Sequence, residues 1–419
     1  MKIIHLLILS LIFGNIYAQD VLDFRKSKHE IDSIRNAYFL KRIEAKSADR
    51  DSIRLLLINK NPDSLSYLYL NNYYFDELPD LSKFNRLKTI KATNNLFEKL
   101  DKKSLKSDSL KKLILEANNL RRIKFPRNSN LRSLNLSSNE FKRITRSIRK
   151  LKNLEVLTIT NNNIKRIPRF IKRMDKLKEL DLSGNNIKLS KSSVKRLSNI
   201  EVILLIGNNL ECLPENIGDL KSAKKINLAK NSISDLPSSF SKLSELNHII
   251  FYKNNFSRIP PVIFKLTKLR ELDFYYNNID TIPDDIGNLK ELRQLFLSYN
   301  KIKYLPSSLQ NMDSLKYIYM HHNQLIMMPK WMSNMKSLQR IDFSYNNLFE
   351  LADFLSLNIL VDLDLHSNNI ERFPWETLEL KNIKLFLIRD NPLILTQEEK
   401  LFLDNRRKSK EKIGEKFDF

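Results

Sequence analysis

Cysteine and glycine are both scarce in this chain. Among 419 residues there is one Cys, Cys212, and six Gly. A single thiol excludes an intramolecular disulfide and any multi-cysteine zinc or iron-sulfur centre. The glycines stand at 14, 184, 207, 218, 287 and 414, so neither G-x-G-x-x-G nor G-x-x-x-x-G-K-[ST] can be written, and phosphate-cradling loops of those kinds are excluded. Acidic residues are also few, 48 against 72 Lys and Arg, a formal charge of +24. With 42% apolar residues the chain still has material for a core, which argues against disorder. Length alone would allow two or three ordinary domains, a count that a repeat architecture overrides.

Long apolar runs are missing as well. The nearest approach is Ile3 to Phe13, broken by His5 and Ser10, behind Met1-Lys2 and ahead of Gly14-Asn15-Ile16-Tyr17-Ala18. It is too short to span a bilayer as a helix, which needs about 20 residues. A short positive start, a short apolar stretch and a small residue at its end predict a secretory signal over residues 1–18, cut near Ala18. Ile16 stands where a smaller residue is commoner, and an uncleaved anchor is the alternative reading. No Cys lies at the cut to carry a lipid. No transmembrane segment is expected in the mature chain, which is expected to be exported, periplasmic or secreted. An exported protein without a cysteine pair suits a bacterial envelope.

What the chain has in abundance is a repeat. The unit L-x-x-L-x-L-x-x-N-x-L places its Asn at Asn95, Asn118, Asn139, Asn162, Asn185, Asn208, Asn231, Asn254, Asn277, Asn300, Asn323, Asn346, Asn368 and Asn391, with a step of 23 broken by a 21 and a 22. An earlier unit opens at Leu65 with Tyr73 in the Asn place, making fifteen units between Leu65 and about Leu395. Alternating apolar residues such as Leu180 and Leu182 have the period of a strand with one buried face. Such strands can pair only with their equivalents in the next unit, which predicts a parallel sheet with rungs about 4.8 Å apart. The Asn sits where the chain turns inward, where a buried amide can satisfy backbone groups of the neighbouring turn. Nine of 13 prolines stand fourteen residues after the first Leu of their unit, Pro283 and Pro306 among them. That position suits the start of a short helical turn on the outer side.

On these residues the chain resembles leucine-rich repeat proteins of the 23-residue class, with the pattern L-x-x-L-x-L-x-x-N-x-L-x-x-[IL]-P-x-x-[IL]-x-x-L-x-x. The resemblance implies an α/β fold: a right-handed horseshoe solenoid with a parallel concave sheet and short helical or 3-10 turns on the convex side. It implies binding of other macromolecules, usually proteins, on the concave sheet. No catalysis is expected, because only about 24 residues follow the last unit, too few for the separate catalytic domain that bacterial ubiquitin-ligase effectors join to such repeats. The Cys-clustered caps of many secreted members are absent here. Capping is therefore expected from residues 19–64, where Leu22, Ile31, Ile34, Tyr38 and Ile43 suggest amphipathic helices, with the repeats over 65–395. Residues 396–419 are expected to form a helical cap opened by Thr396-Gln397-Glu398-Glu399, with a charged tail that frays beyond Arg406.

Positions 2, 4, 6 and 7 after each unit's first Leu face solvent on the concave side. In units nine to fourteen they hold His248, Tyr252, Tyr275, Tyr276, Phe296, Tyr299, Tyr317, Tyr319, His321, His322, Tyr345 and His366. Clustered exposed aromatics are the composition of an interface centre. The acids among them, including Asp342 and Asp364, would favour a partner with basic or hydroxyl-rich groups. The alternative is that Tyr merely suits strands and stacks along the ladder. No metal is expected, because His321 and His366 lie two rungs apart and His also serves as a polar aromatic. No hydrolase triad is expected on a regular ladder holding Ser298 and Ser344, and Cys212 lies outside it.

The charge has its own geography. Residues 101–200 hold 27 Lys and Arg against eight Asp and Glu, a net +19 of the total +24. Arg149-Lys150, Lys172-Arg173 and Lys195-Arg196 recur at steps of 23, as do Lys142, Lys165 and Lys188. Stacked like charges destabilise unless screened or matched by an anion. They suggest a surface or envelope adhesin for anionic glycans or lipids as the alternative to a recognition scaffold for a protein or peptide. Nucleic acid fits poorly, since the ladders lack interleaved aromatics. A solvated face that only confers solubility stays open. No cofactor is implied.

Overall fold

The computed structural model describes residues 50–419 except 104, 106–108, 127–129 and 413. The expected signal segment and the helices expected over 21–47 lie outside the described residues.

Each repeat contributes a strand of three residues whose middle side chain is buried and whose flanking side chains are not, as in Glu271–Asp273, Gln294–Phe296 and Tyr317–Tyr319; among the described residues, only in Leu385–Leu387 is a flanking residue, Leu387, buried too. Sixteen such strands form one parallel sheet in strict chain order. Registration is residue for residue, Leu272 beside Leu295 beside Ile318 beside Ile341. Each strand therefore leans only on its neighbours, and the core is a continuous stack of Leu, Ile and Phe running the length of the solenoid.

The recurrent Asn has the role its position predicts. Asn300 is buried; its Oδ1 accepts from the N–H of Ile279 at 2.9 Å, and its Nδ2 donates to the carbonyls of Phe274 and Leu297 at 2.9 Å each. Every unit thus ties its turn to the turn before it, satisfying backbone groups that burial would otherwise leave unpaired. On the outer side, Pro168, Pro237, Pro260, Pro283, Pro306, Pro329 and Pro374 each precede a five-residue 3-10 turn. Their fixed φ delivers an extended residue directly into the turn.

Lys191–Arg196 forms a short α-helix in the same place on the outer side. Two features depart from the expected pattern. First, the outer side is not helical throughout: Lys99–Leu100 and Arg122–Ile123 pair as a small parallel sheet. Second, the tail does not fray at Arg406. The helix Gln397–Glu411, closed at its start by reciprocal Thr396 and Glu399 hydrogen bonds, runs past it, and Lys416–Asp418 adds a final strand beside Leu385–Leu387. The reason is Phe417, whose buried ring lies between two polar residues and meets Phe386 and Phe419 at 6.2 and 5.9 Å. A charged tail with one well-placed aromatic supplies a last rung and covers the open end of the core.

Candidate binding site on the concave sheet

The register lines up the solvent-facing residues in columns. The column two residues beyond each strand holds Tyr252, Tyr275, Ser298, His321, Ser344 and His366; the next holds Lys253, Tyr276, Tyr299, His322, Tyr345 and Ser367. In that last column four consecutive rungs carry rings, and they stack. Ring centroids of Tyr276 and Tyr299 are 4.0 Å apart at 12°, Tyr299 and His322 4.1 Å at 12°, His322 and Tyr345 4.2 Å at 31°. The adjoining column seals the side of this stack edge-on: Tyr275 lies 5.4 Å from both Tyr299 and His321, and His366 lies 4.7 Å from Tyr345. Tyr275 and His321 meet across two rungs because the residue between them is Ser298, fully buried.

The backbone under the stack is special. In all fourteen units with a ladder Asn, the residue before it has positive φ, between 51° and 63°. Gly184 and Gly207 occupy this place without strain, and Asn94 and Asn161 tolerate it. Tyr276, Tyr299, His322 and Tyr345 adopt φ of 57°, 55°, 54° and 52° there. A side chain with a Cβ is disfavoured in this region by about 1–2 kcal/mol. Each parallel ring pair returns about 0.5–1.5 kcal/mol, so the stack offsets the strain it sits on. Tyr276 and Tyr345 remain 40% and 46% exposed, leaving broad aromatic surface facing solvent.

Burial decides the electrostatics. It lowers the pKa of His321 and His322, which keeps the imidazoles neutral at neutral pH and suits the 2.9 Å contact between their Nδ1 atoms. It lifts Asp273 to about 6 and raises Asp364, and with neighbouring tyrosines it lifts Tyr275 to about 12. Tyr299 is also raised, chiefly by its hydrogen bond with Tyr276.

The expected site residues divide accordingly. Tyr252, Tyr275, Tyr276, Tyr299, His321, His322, Tyr345 and His366 form one connected cluster. Phe296 and Tyr319 form a parallel pair of their own at 5.0 Å, and Tyr317 lies under the guanidinium of Arg340 at 5.7 Å. His248 stands apart against Asn247, 3.8 Å from Glu271. The carboxylates are less available than their positions suggest. Asp273, Asp342 and Asp364 accept from the backbone N–H two residues on, at 2.8, 3.2 and 3.2 Å, and His366 Nδ1 also meets Asp364 at 2.5 Å. Asn135 and Asn227 make the same turn elsewhere in the column, so these acids serve the backbone first. Arg340, paired with Asp362 at 2.8 Å, belongs to the face and escapes a search for aromatics.

On the basic part, Lys142, Arg149, Lys165, Lys172, Arg173, Lys188 and Lys195 are exposed. Arg196 instead donates to the Ile167 carbonyl at 2.5 Å, and Lys150 to that of Phe125 at 3.4 Å, so both brace the backbone.

Fold and repeat together define the class: the protein is a leucine-rich repeat protein. Two family models agree, Leucine-rich repeat region over residues 262–347 and Leucine rich repeat over residues 129–187. A leucine-rich repeat protein of Leptospira interrogans is 26% identical, with TM-score 0.69 over 84% of this chain and 95% of that one. A plant peptide hormone receptor is 26% identical, with TM-score 0.58 over 78% of this chain and 55% of that one, so the chain spans about half the receptor's length. An internalin of Listeria monocytogenes shares the fold, at 18% identity and TM-score 0.56 over 83% and 90% of the two chains. No curated protein matches the chain by sequence. Among the described residues no helix is long and apolar enough to cross a membrane.

Proposed function

We propose that this protein is a non-catalytic, exported recognition scaffold that binds a peptide, or an extended segment of a protein, along the aromatic ridge of its concave sheet. One observation carries the reading: four rings stack on consecutive rungs at positions whose backbone favours glycine, and two of them stay broadly exposed. Rigid aromatics with few rotors are effective anchors, because little side-chain entropy is lost on binding. A ridge across four rungs spans about 14 Å by strand spacing, the length of four or five extended residues. The similarity to a plant peptide hormone receptor supports the same ligand class. The apolar segment before Gln19 supports export, and N-terminal sequencing of the mature protein tests that part.

The binding test is selection of displayed random peptides on the immobilised protein. The expected result is enrichment of related sequences whose affinity falls at least about tenfold on Tyr275→Ala/Tyr299→Ala/Tyr345→Ala, with the circular dichroism of the fold preserved. Peptides that bind the variant as tightly as the parent would remove the concave ridge from the mechanism.

A further inference from the structure

A second feature lies on the outer side, where three successive repeats frame a groove of about 690 Å³. Its rim is arginine: Arg121 and Arg122 from one unit, Arg143, Arg146 and Arg149 from the next, Arg169 and Arg173 from the third. Its floor includes Ile123, Ile144, Pro168 and the half-buried Phe170. The groove lies where one unit is short. From Asn118 to Asn139 the step is 21 rather than 23, and the loss falls on the outer arc: eight positions separate Ile123 from Leu131, against ten from Ile144 to Leu154.

Two observations say that this is more than a solvated basic surface. Among the described residues, the only one of the seven arginines with an acidic partner is Arg121, 2.7 Å from Glu140. The other six converge on the groove without a counter-charge, an arrangement that self-repulsion disfavours unless an anion fills it. The residue type is also selective. The chain has 25 Arg and 47 Lys, yet the groove is lined by seven Arg and one Lys, Lys124. Solubility needs only charge, which Lys supplies; a guanidinium adds a planar fork that holds a carboxylate, sulfate or phosphate through two hydrogen bonds.

The shape selects among anions. A planar membrane surface cannot enter a recess between repeats, and the groove offers one aromatic ring, the half-buried Phe170, where a strand of nucleobases stacks on a succession of them. The cationic track continues past the groove, because Lys142, Lys165 and Lys188 occupy the place of Arg121 in the next three units, all exposed. A ladder of charges at one spacing matches a polymer whose charges also recur at one spacing. An apolar floor between charged walls matches sugar rings, whose flat faces are apolar and whose edges carry the acidic groups. We propose that this groove binds a strand of acidic polysaccharide, its anionic groups held bidentately by the arginines and its rings resting on Pro168 and Phe170. The site is separate from the concave ridge and stands or falls independently of it.

The test measures binding of a heparin oligosaccharide to the full chain by calorimetry at several salt concentrations. Affinity should fall as salt rises, and Arg122→Lys/Arg146→Lys/Arg169→Lys, which preserves net charge, should weaken it at least about tenfold. Lys142→Gln/Lys165→Gln/Lys188→Gln, which removes three charges outside the groove, should weaken it less. The concave triple variant should bind heparin as the parent does. All substituted cations are exposed, so the fold should persist; if the first variant fails to fold, Arg143→Lys/Arg173→Lys gives the same reading. Absence of binding, equal affinity of the Arg→Lys variant, or tighter binding of poly-glutamate or of phosphatidylglycerol vesicles would each overturn the proposal.

Discussion

Replacing Tyr299 by Gly and by Ala separates the two forces that meet at the concave ridge. Tyr299 has φ of 55° and stacks between Tyr276 at 4.0 Å and His322 at 4.1 Å. Either substitution removes both face-to-face pairs, a loss of about 1–3 kcal/mol at 0.5–1.5 per pair, and with them the edge contacts to Tyr275 and His321 at 5.4 and 5.3 Å. Ala retains a Cβ in the left-handed region and so keeps the strain; Gly relieves about 1 kcal/mol of it. From the face-to-face pairs alone the Ala variant should be less stable than the parent by about 1–3 kcal/mol and the Gly variant by about 0–2, with the lost edge contacts adding equally to both. Gly should thus be the more stable of the two by about 1 kcal/mol, the reverse of its usual rank within regular structure. Urea unfolding measures the difference. Because long repeat arrays depart from two-state behaviour, exchange of the residue 299 amide, hydrogen-bonded to the His321 carbonyl at 2.9 Å, provides a local measure. An Ala variant as stable as Gly, or more so, would refute the claim that these rings occupy a strained backbone.

Two other substitutions test the scaffold and its titration. Asn300→Ala removes the acceptor for Ile279 N–H and the donor to Phe274 and Leu297, leaving buried backbone groups unpaired, and should destabilise by about 2–5 kcal/mol in denaturant titration; a change under about 1 would contradict the ladder's role. Burial lifts the Asp273 carboxyl from 3.8 to about 6, so between those values the folded state binds the proton that the unfolded chain releases. Stability should accordingly fall as pH rises from about 4 to about 6, by up to about 3 kcal/mol at pH 7. Asp273→Asn keeps an acceptor for Tyr275 N–H, as Asn227 does for Ala229, and should be more stable than the parent at pH 7 but equal to it near pH 4. Unfolding curves of the two proteins that stay parallel across this range would remove burial as the cause.

The architecture was readable because its cause is local and repeated. A period of 23, apolar residues alternating around each strand and an Asn at one phase leave a parallel stacked sheet as the arrangement in which every unit buries its face on the next. The concave aromatics were readable for the same reason, since strand alternation assigns each residue to a face. Reading by face alone misjudged the carboxylates: Asp342 and Asp364 are on the solvent side, but each turns back to its own chain two residues on. It also overlooked the groove. Cations at steps of 23 include Lys142, Lys165 and Lys188 but leave out Arg121 and Arg122, because the 21-residue unit shifts the phase. That shorter step was the signal available.

Sequence by itself determined the solenoid, the parallel register of its strands and the concentration of charge in one hundred residues. All follow from periodicity, and a stacked repeat converts periodicity directly into position. Tertiary structure alone decided how side chains on one face meet: which rings stack and at what angle, that their backbone is left-handed, and that Phe417 returns to complete the sheet. It also decided that seven arginines from three units border one groove. Those outcomes depend on distances of a few ångströms between side chains 20 or more residues apart, which the curvature of the stack and the length of each outer arc set.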